Sequence, residues 1–173
     1  MSEAEEALIE AAMSGDLVKV RQLVGDGVDV NSANRMGMTP LMVAAQWNRP
    51  KIVSFLLSRG GDVEAREHSS GCNALFFACL SCNPAVVRMV LKHGAHVNST
   101  NHDGRSALMT ASFCGMTGVV KTLLKHGADV DAMDRFGATA LTHALMAGQR
   151  EVVKLLVVEG ADAKRQAKKG RSP

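Results

Sequence analysis

Few residues in this 173-residue chain are of a type and spacing that could do chemistry. Cys79 and Cys82 stand as C-x-x-C, the spacing of half a zinc site or of a dithiol redox pair. Zinc would need a second ligand pair in reach, and a redox dithiol a βαβ setting. Neither is present, so the four cysteines read as reduced, structural thiols. Six His are scattered, and the one expected inside a helix, His143, has no carboxylate three or four residues on. There is no P-loop, no G-x-S-x-G and no H-E-x-x-H. The chain reads as non-catalytic, with no metal site and no cofactor implied.

The elements around these residues follow one pattern, clearest from Asn34 to Arg66. A glycine turn, Asn34 to Gly37, leads to Thr39-Pro40, and proline suits the first turn of a helix, where its missing N–H costs nothing. Leu41, Ala44 and Ala45 recur at helical spacing up to a polar break at Asn48 to Pro50. A second apolar stripe follows in Ile52, Val53, Phe55, Leu56 and Leu57, closed by Gly60 as a left-handed C-cap glycine. Neither helix can bury its apolar face alone. The leucine opening the first helix recurs as Leu8, Leu41, Leu75, Leu108 and Leu141, and the closing glycine as Gly27, Gly60, Gly94, Gly127 and Gly160. Both run at steps of 33, 34, 33 and 33 residues, the extra residue lying between Gly60 and Gly71. A fixed period of this size marks a solenoid, in which each unit stacks on the next.

The repeated segments carry a resemblance. MGMTPLMVAA, DGRSALMTAS and FGATALTHAL, with the tail LLKHGADVDAMDRFG, resemble the ankyrin repeat over about residues 4 to 166. The implied fold is an all-α ankyrin-repeat solenoid of five helix-turn-helix units with hairpin finger loops. The units run about 4–37, 38–71, 72–104, 105–137 and 138–166, and residues 167–173 form a basic tail or the start of a truncated sixth repeat. One departure is systematic. Where the family has His after Pro-Leu, this chain has Ile9, Met42, Phe76, Met109 and Thr142, so thioether and ring packing replaces the histidine hydrogen bonds. Thr-Pro is complete only in the second unit, and looser helix starts are expected at Asn73-Ala74, Ser106-Ala107 and Thr139-Ala140.

Composition agrees with helix stacking on small residues. The chain is 46% hydrophobic, yet aromatics make up only 3%, with one Trp and no Tyr beside 10 Met. No apolar run approaches the roughly 18 residues of a membrane span, and Met1-Ser2-Glu3 is unlike a signal peptide, so a cytoplasmic protein is expected. On that reading the sequon Asn98-Ser99-Thr100 is inert. Ser2 and Glu5 have capping-box spacing, and Glu3, Glu5, Glu6 and Glu10 suit a first repeat whose outer side faces water. Lys92-His93 and Lys125-His126 end second helices, where cations favour the helix dipole.

In the family, finger tips and the exposed ends of first helices line a concave groove. The resemblance therefore places Arg35, Met36, His68, Ser69, His102, Asp103, Arg135 and Phe136 at tips. It places Met13, Trp47, Leu80, Phe113 and Met146 at helix ends. With Met38 and Met133 these make an apolar strip, rimmed by Arg35, Arg66, Arg105 and Arg135. The implied function is a non-catalytic adaptor or scaffold that holds an apolar protein segment bearing acidic groups. Trp47, Phe113 and Phe136 would anchor it, and Arg35, Arg105 and Arg135 would meet its acids. The alternative is the regulatory or targeting region of a larger signalling protein, enzyme or channel. No small-molecule substrate and no membrane are expected, and the protein should be a monomer. A nucleic-acid or nuclear role through Lys164, Arg165, Lys168, Lys169 and Arg171 is the weakest reading, at a net charge of +3. Asn31, in Asp29-Val30-Asn31, is similar to sites modified by asparaginyl hydroxylases, although an Asn bonding its own loop accounts for it better. Gly170-Arg171-Ser172-Pro173 lies one period past the head of the fifth unit, as the head of a sixth would. Leu145 stands where a filler of a last repeat could stand, and Val158 makes that unit's outer face apolar.

Overall fold

The helices begin where side chains supply the acceptors that a first helical turn lacks. In the computed structural model, which describes residues 2–160, Ser2 caps α1 (Glu3–Ser14) with the capping box read from the sequence. Asp16 caps α2 (Leu17–Gly25) through the Lys19 amide, and Thr39 caps α3 (Pro40–Gln46) through that of Met42. Pro50 and Pro84 open α4 (Pro50–Ser58) and α6 (Pro84–Lys92), so Pro50 begins the second helix of its pair. Asn73, Ser106 and Thr139 cap α5 (Ala74–Leu80), α7 (Ala107–Phe113) and α9 (Ala140–Met146). The expected looser starts are not found: α5, α7 and α9 have the same seven residues as α3, and each is capped by a side chain. With α8 (Thr117–Lys125) and α10 (Arg150–Val158) the described residues hold ten helices, and a single bridge, Thr100 to Ser106, outside them.

Two units divide the chain, Met1–His96 and Val97–Pro173. In the first, α1, α3 and α5 pack side by side as one layer, and α2, α4 and α6 pack as a second layer behind them. In the second unit α7 packs on α9 and α8 on α10, each pair also packing as a helical hairpin. The periodic leucines Leu8, Leu41, Leu75, Leu108 and Leu141 are buried throughout. Each removes a side chain from water, worth about 1.5–3 kcal/mol. Met42, Phe76 and Met109 are also buried, so apolar packing does fill the histidine position. Met109 does more, because its Sδ accepts a bond from the Ser106 amide at 3.4 Å.

Polar latches join successive repeats at one register. Asn31 Nδ2 donates to the Gly60 carbonyl at 3.1 Å, and its Oδ1 accepts from the Asp62 amide at 2.7 Å. Glu64 accepts from the His96 amide, and Asn98 repeats the Asn31 pattern on Gly127 and Asp129. The Asn31 side chain thus bonds the next repeat's loop, while its amide bonds Asp29 in its own. A second set reaches backward from the turn before each second helix: Arg49 donates to the Met13 carbonyl, Asn83 to Asn48 Oδ1, and Gln149 to the Phe113 carbonyl. That turn needs a left-handed residue. Gly15, Gly115 and Gly148 supply it in three repeats, but Asn48 and Cys82 occupy it at φ 52° and 56°. Asn tolerates this region, whereas a Cys side chain meets the ordinary steric penalty.

The fifth repeat is packed on one side only among the described residues. Leu145 is exposed, whereas its counterparts Ala12, Ala45, Cys79 and Ser112 are buried. Val153 is half-buried, whereas Val20, Val53, Val87 and Val120 are fully buried. Leu145 is therefore not tucked in as a filler. Val158 is exposed, as expected. The Gly170 to Pro173 segment and the chain-end cations lie outside the described residues.

Cys82→Gly should raise stability by about 0.5–1 kcal/mol, since relief of left-handed strain exceeds the entropic cost of glycine. Thermal unfolding that shows no gain would mean that the Cys82 backbone is unstrained. Amides of α10 around Leu155 should exchange with deuterium faster than those around Leu56, because among the described residues α9 and α10 pack against a neighbouring repeat on one side only. Equal protection would show that the open face is covered in solution.

Candidate functional site

The fingers are built on one acceptor per turn. Asn34 Oδ1 accepts the amides of Met36 and Met38, Asn101 those of Asp103 and Arg105, and Asp134 those of Phe136 and Ala138. Gly37, Gly104 and Gly137 close these turns with positive φ. The second finger, Arg66 to Gly71, has one residue more, and there Glu67 holds the same register. Its carboxylate accepts from the amides of Ser69, Ser70 and Cys72 and from the Ser70 hydroxyl. One extra methylene lets the acid reach across one extra residue. Burial alone would raise the Glu67 pKa, but the Ser70 hydroxyl and the three amides outweigh it and hold the group down to about 2. The sequence pattern did not single out Glu67, because Glu is not a turn residue by type. Its signal was the coincidence of register with the one-residue insertion.

In the first unit, Met13, Trp47 and Leu80 stand exposed at corresponding ends of α1, α3 and α5, Trp47 at 52%. Met36 is exposed at a finger tip, while Met38 is half-buried at the finger base. Met36 and Met38 line a hollow of about 290 Å³ together with Gln46, Phe77, Glu67, Ser69 and Ser70. Phe77 is a lining residue that the groove reading left out. The tips are tied to each other, since the His68 amide donates to the Met36 carbonyl at 2.9 Å. Arg66, expected at the rim, donates from Nη1 to the Gly71 carbonyl at 2.8 Å and so braces the second finger.

In the second unit the aromatic positions are linked through Asp134. This carboxylate is buried, and its second oxygen lies 2.9 Å from Nε2 of the buried His143. The His143 ring in turn meets Phe113 edge-on, with centroids 6.4 Å apart. Burial would raise the Asp134 pKa, but bonds from the Ala138 amide, His143 and the Phe136 amide lower it on balance. His143 does have a carboxylate partner, nine residues upstream in the finger, which helical spacing could not show. A His–Asp pair is also the acid–base half of a hydrolytic triad. Here both groups are buried and Asp134 is engaged by finger amides, so the pair locks the finger to α9. Phe136 and Phe113 stand exposed at 63% and 52%, and Met133 and Met146 are exposed with them. Arg135 lies over the Phe136 ring at 4.7 Å and pairs with Asp103 at 2.8 Å, and Arg105 Nε lies 3.9 Å from Asp134. Two arginines expected to meet a partner's acids thus contact acids of this chain.

Stacked helix pairs on a 33-residue register, with capped fingers, decide the family. The family model for ankyrin repeats (3 copies) matches residues 8–101 and 75–167. The chain belongs to the ankyrin repeat family. It is 39% identical over 94 residues to a fowlpox virus ankyrin repeat protein, covering 53% of this chain and 28% of the relative. It is 34% identical over 111 residues to the mouse B-cell lymphoma 3 protein homolog, covering 64% and 22%. It is 28% identical over 101 residues to the ankyrin repeat protein YahD of Escherichia coli, covering 58% and 50%. The chain thus matches half or less of the length of these relatives. Ankyrin repeats are protein-interaction modules. Among the described residues no group of His, Cys, Asp and Glu could hold a metal ion, and no helix is long and apolar enough to cross a membrane.

Glu67 makes acid stability testable. Its folded pKa lies below the unfolded value, so its contribution is fully present above about pH 4.5 and is lost as pH falls toward 2. The amount at stake is roughly 2–3 kcal/mol. Glu67→Gln should be less stable than the parent at pH 7 and should lose less on acidification to pH 2.5. Parallel loss in both proteins would show that Glu67 carries no such linkage.

Proposed function

We propose that this chain is a non-catalytic interaction module that holds an apolar protein segment bearing acidic groups. In either unit the segment would lie against the finger tips and the ends of the first helices. One observation carries the reading: large apolar side chains stand exposed at the register positions where packing has no use for them. Trp47, Leu80, Phe113, Phe136, Met36 and Met146 are exposed in a chain that buries every periodic leucine. Exposed apolar groups rimmed by polar ones mark interaction sites, and Trp and Arg are common energetic anchors. Arg35 extends from a finger tip. Arg105 and Arg135 stand beside Asp134 and Asp103, so an incoming carboxylate would compete with a carboxylate already in place.

A second reading, the interaction region of a larger protein, is favoured by coverage, since the chain matches 28%, 22% and 50% of the relatives' lengths. In that case the same surfaces would position the larger protein on its partner.

The test is selection of peptides from a displayed library on the intact chain, followed by affinity measurements on variants. Trp47→Ala should weaken the selected peptides by about 2 kcal/mol or more, roughly thirtyfold. It should barely move the melting temperature, whereas Leu56→Ala should cost ~2–5 kcal/mol of stability. If Trp47→Ala destabilises as Leu56→Ala does, or leaves every selected peptide bound as before, Trp47 is not an anchor.

A further inference from the structure

The second helices of the first unit show a separation of charge that the groove does not use. Within α2, α4 and α6 there is no Asp or Glu at all, while Lys19, Arg21, Lys51, Arg88 and Lys92 are all exposed. Arg59, at the C-cap of α4, is exposed as well. None of these six forms an ion pair among the described residues. Of the nearest acids in sequence, Asp16 and Asp26 stand at the two ends of α2 and Asp62 just past α4, and Asp16 and Asp62 are occupied by the Lys19 and Glu64 amides. The cations keep register. Arg21 and Arg88 hold the same position in α2 and α6, Ser54 holds it in α4, and Lys51 lies one turn earlier on that same face. Small residues stand among the cations, with Gly25, Ser54 and Ser58 exposed and Ala85 half-exposed beside the larger Gln22, Phe55 and Met89, so a polypeptide backbone can come close at those points.

Two of the six are held in place. The guanidinium carbons of Arg21, on α2, and Arg59, at the end of α4, lie 5.6 Å and 5.2 Å from the ring centroid of Phe55. These three residues and Ser58 line a hollow of about 360 Å³. A guanidinium braced on a ring keeps its fork of donors and loses less freedom when it binds, which suits a planar carboxylate.

We propose that this face of α2, α4 and α6 is a second interaction surface that takes an extended acidic segment of a protein. Helix spacing argues for that occupant. Packed helices lie about 8–10 Å apart, which an extended chain crosses in about three residues. A segment with an acid at about every third residue would meet one cation per helix. A nucleic acid fits less well. Duplex DNA carries a charge every ~1.7 Å, far denser than these cations, and single strands need rings free for base stacking. Among the described residues the rings near these cations are Phe55, which already has two guanidiniums against it, and His93, whose Nδ1 is bonded to the Met89 carbonyl.

The experiment is fluorescence anisotropy of a labelled ten-residue oligoglutamate titrated with the 173-residue chain at low and at physiological salt. The parent should bind at low salt, more weakly as salt rises. The double variant Arg21→Ala, Arg59→Ala should bind at least tenfold more weakly, with unchanged helicity by circular dichroism. Arg150→Ala, at the start of α10 and outside both proposed surfaces, should bind as the parent does. Cations at the chain end are common to all three proteins, so their contribution cancels in the comparison. Phe55→Leu should fall between parent and double variant, because the arginines remain but lose their brace. The proposal is overturned if oligoglutamate fails to bind at low salt, or if the double variant binds as the parent does. It is equally overturned if an oligothymidylate of equal charge, or vesicles with phosphatidylserine, bind more tightly than oligoglutamate and lose that binding in the double variant.

Discussion

A pair of helices of seven to twelve residues cannot bury its apolar stripe within itself, so each repeat depends on the surface of the next. That dependence explains why burial follows the period so closely. Leu8 and its four counterparts are all buried, and so are Val20, Val53, Val87 and Val120. Where the described residues supply no further neighbour, the same register opens, and Leu145 and Val153 gain exposure. Inter-repeat burial fixes these positions, and the side chains that packing does not use collect at finger tips, first-helix ends and the outward side of second helices. Those are also the places where Trp47, Phe136 and the paired Arg21 and Arg59 stand.

Between the layers of apolar contact, single polar side chains fix geometry at little cost in core volume. One acceptor at a constant register closes each finger, and its identity follows the turn: Asn or Asp for the shorter turns, Glu67 for the longer. Choosing a carboxylate has a consequence that choosing an amide does not. Asp134 has a second oxygen to spend, and it holds His143, whose ring meets Phe113. An exposed aromatic at the end of α7 is thereby tied to the finger that carries Phe136. The Gln149 bond to the Phe113 carbonyl holds the same helix end from the other side of the turn.

Much of this was legible because it is local or periodic. Capping residues, Pro40 at a helix start, the left-handed glycines and the 33-residue step each need only a few neighbouring residues to interpret. The exposure of Trp47 and Phe113 followed from register and a mapped groove. What escaped depends on pairs distant in sequence. Asp134 and His143 are nine residues apart, at a spacing that matches no helix face. Asn31 latches to Gly60 and Asp62 across a whole repeat. The fate of the rim arginines was equally hidden: Arg66 braces its own finger, and Arg135 pairs with the neighbouring one. Long side chains at finger tips have several acceptors within reach, and the sequence does not rank them. The helix starts at Asn73, Ser106 and Thr139 were underrated for another reason, since a good N-cap stands in for the missing proline.

The separation of charge on the second helices has the same origin as the finger caps. A carboxylate can accept backbone N–H groups at turns and helix starts, whereas Lys and Arg have no acceptor and cannot. A fold made of many short helices and turns therefore draws its acids inward. Glu5, Asp16, Asp29, Asp62, Glu64, Glu67, Asp129 and Asp134 each accept at least one backbone amide. Arg49 and Arg66 donate to backbone carbonyls, but among the described residues the cations of α2, α4 and α6 have no such employment. On an exposed helix face the backbone donors and acceptors are already paired along the helix, so a long basic side chain remains available to whatever approaches. A net charge of +3 consequently understates how cationic such a face is. The charge that a partner meets depends less on the total than on which sign the turns have already consumed.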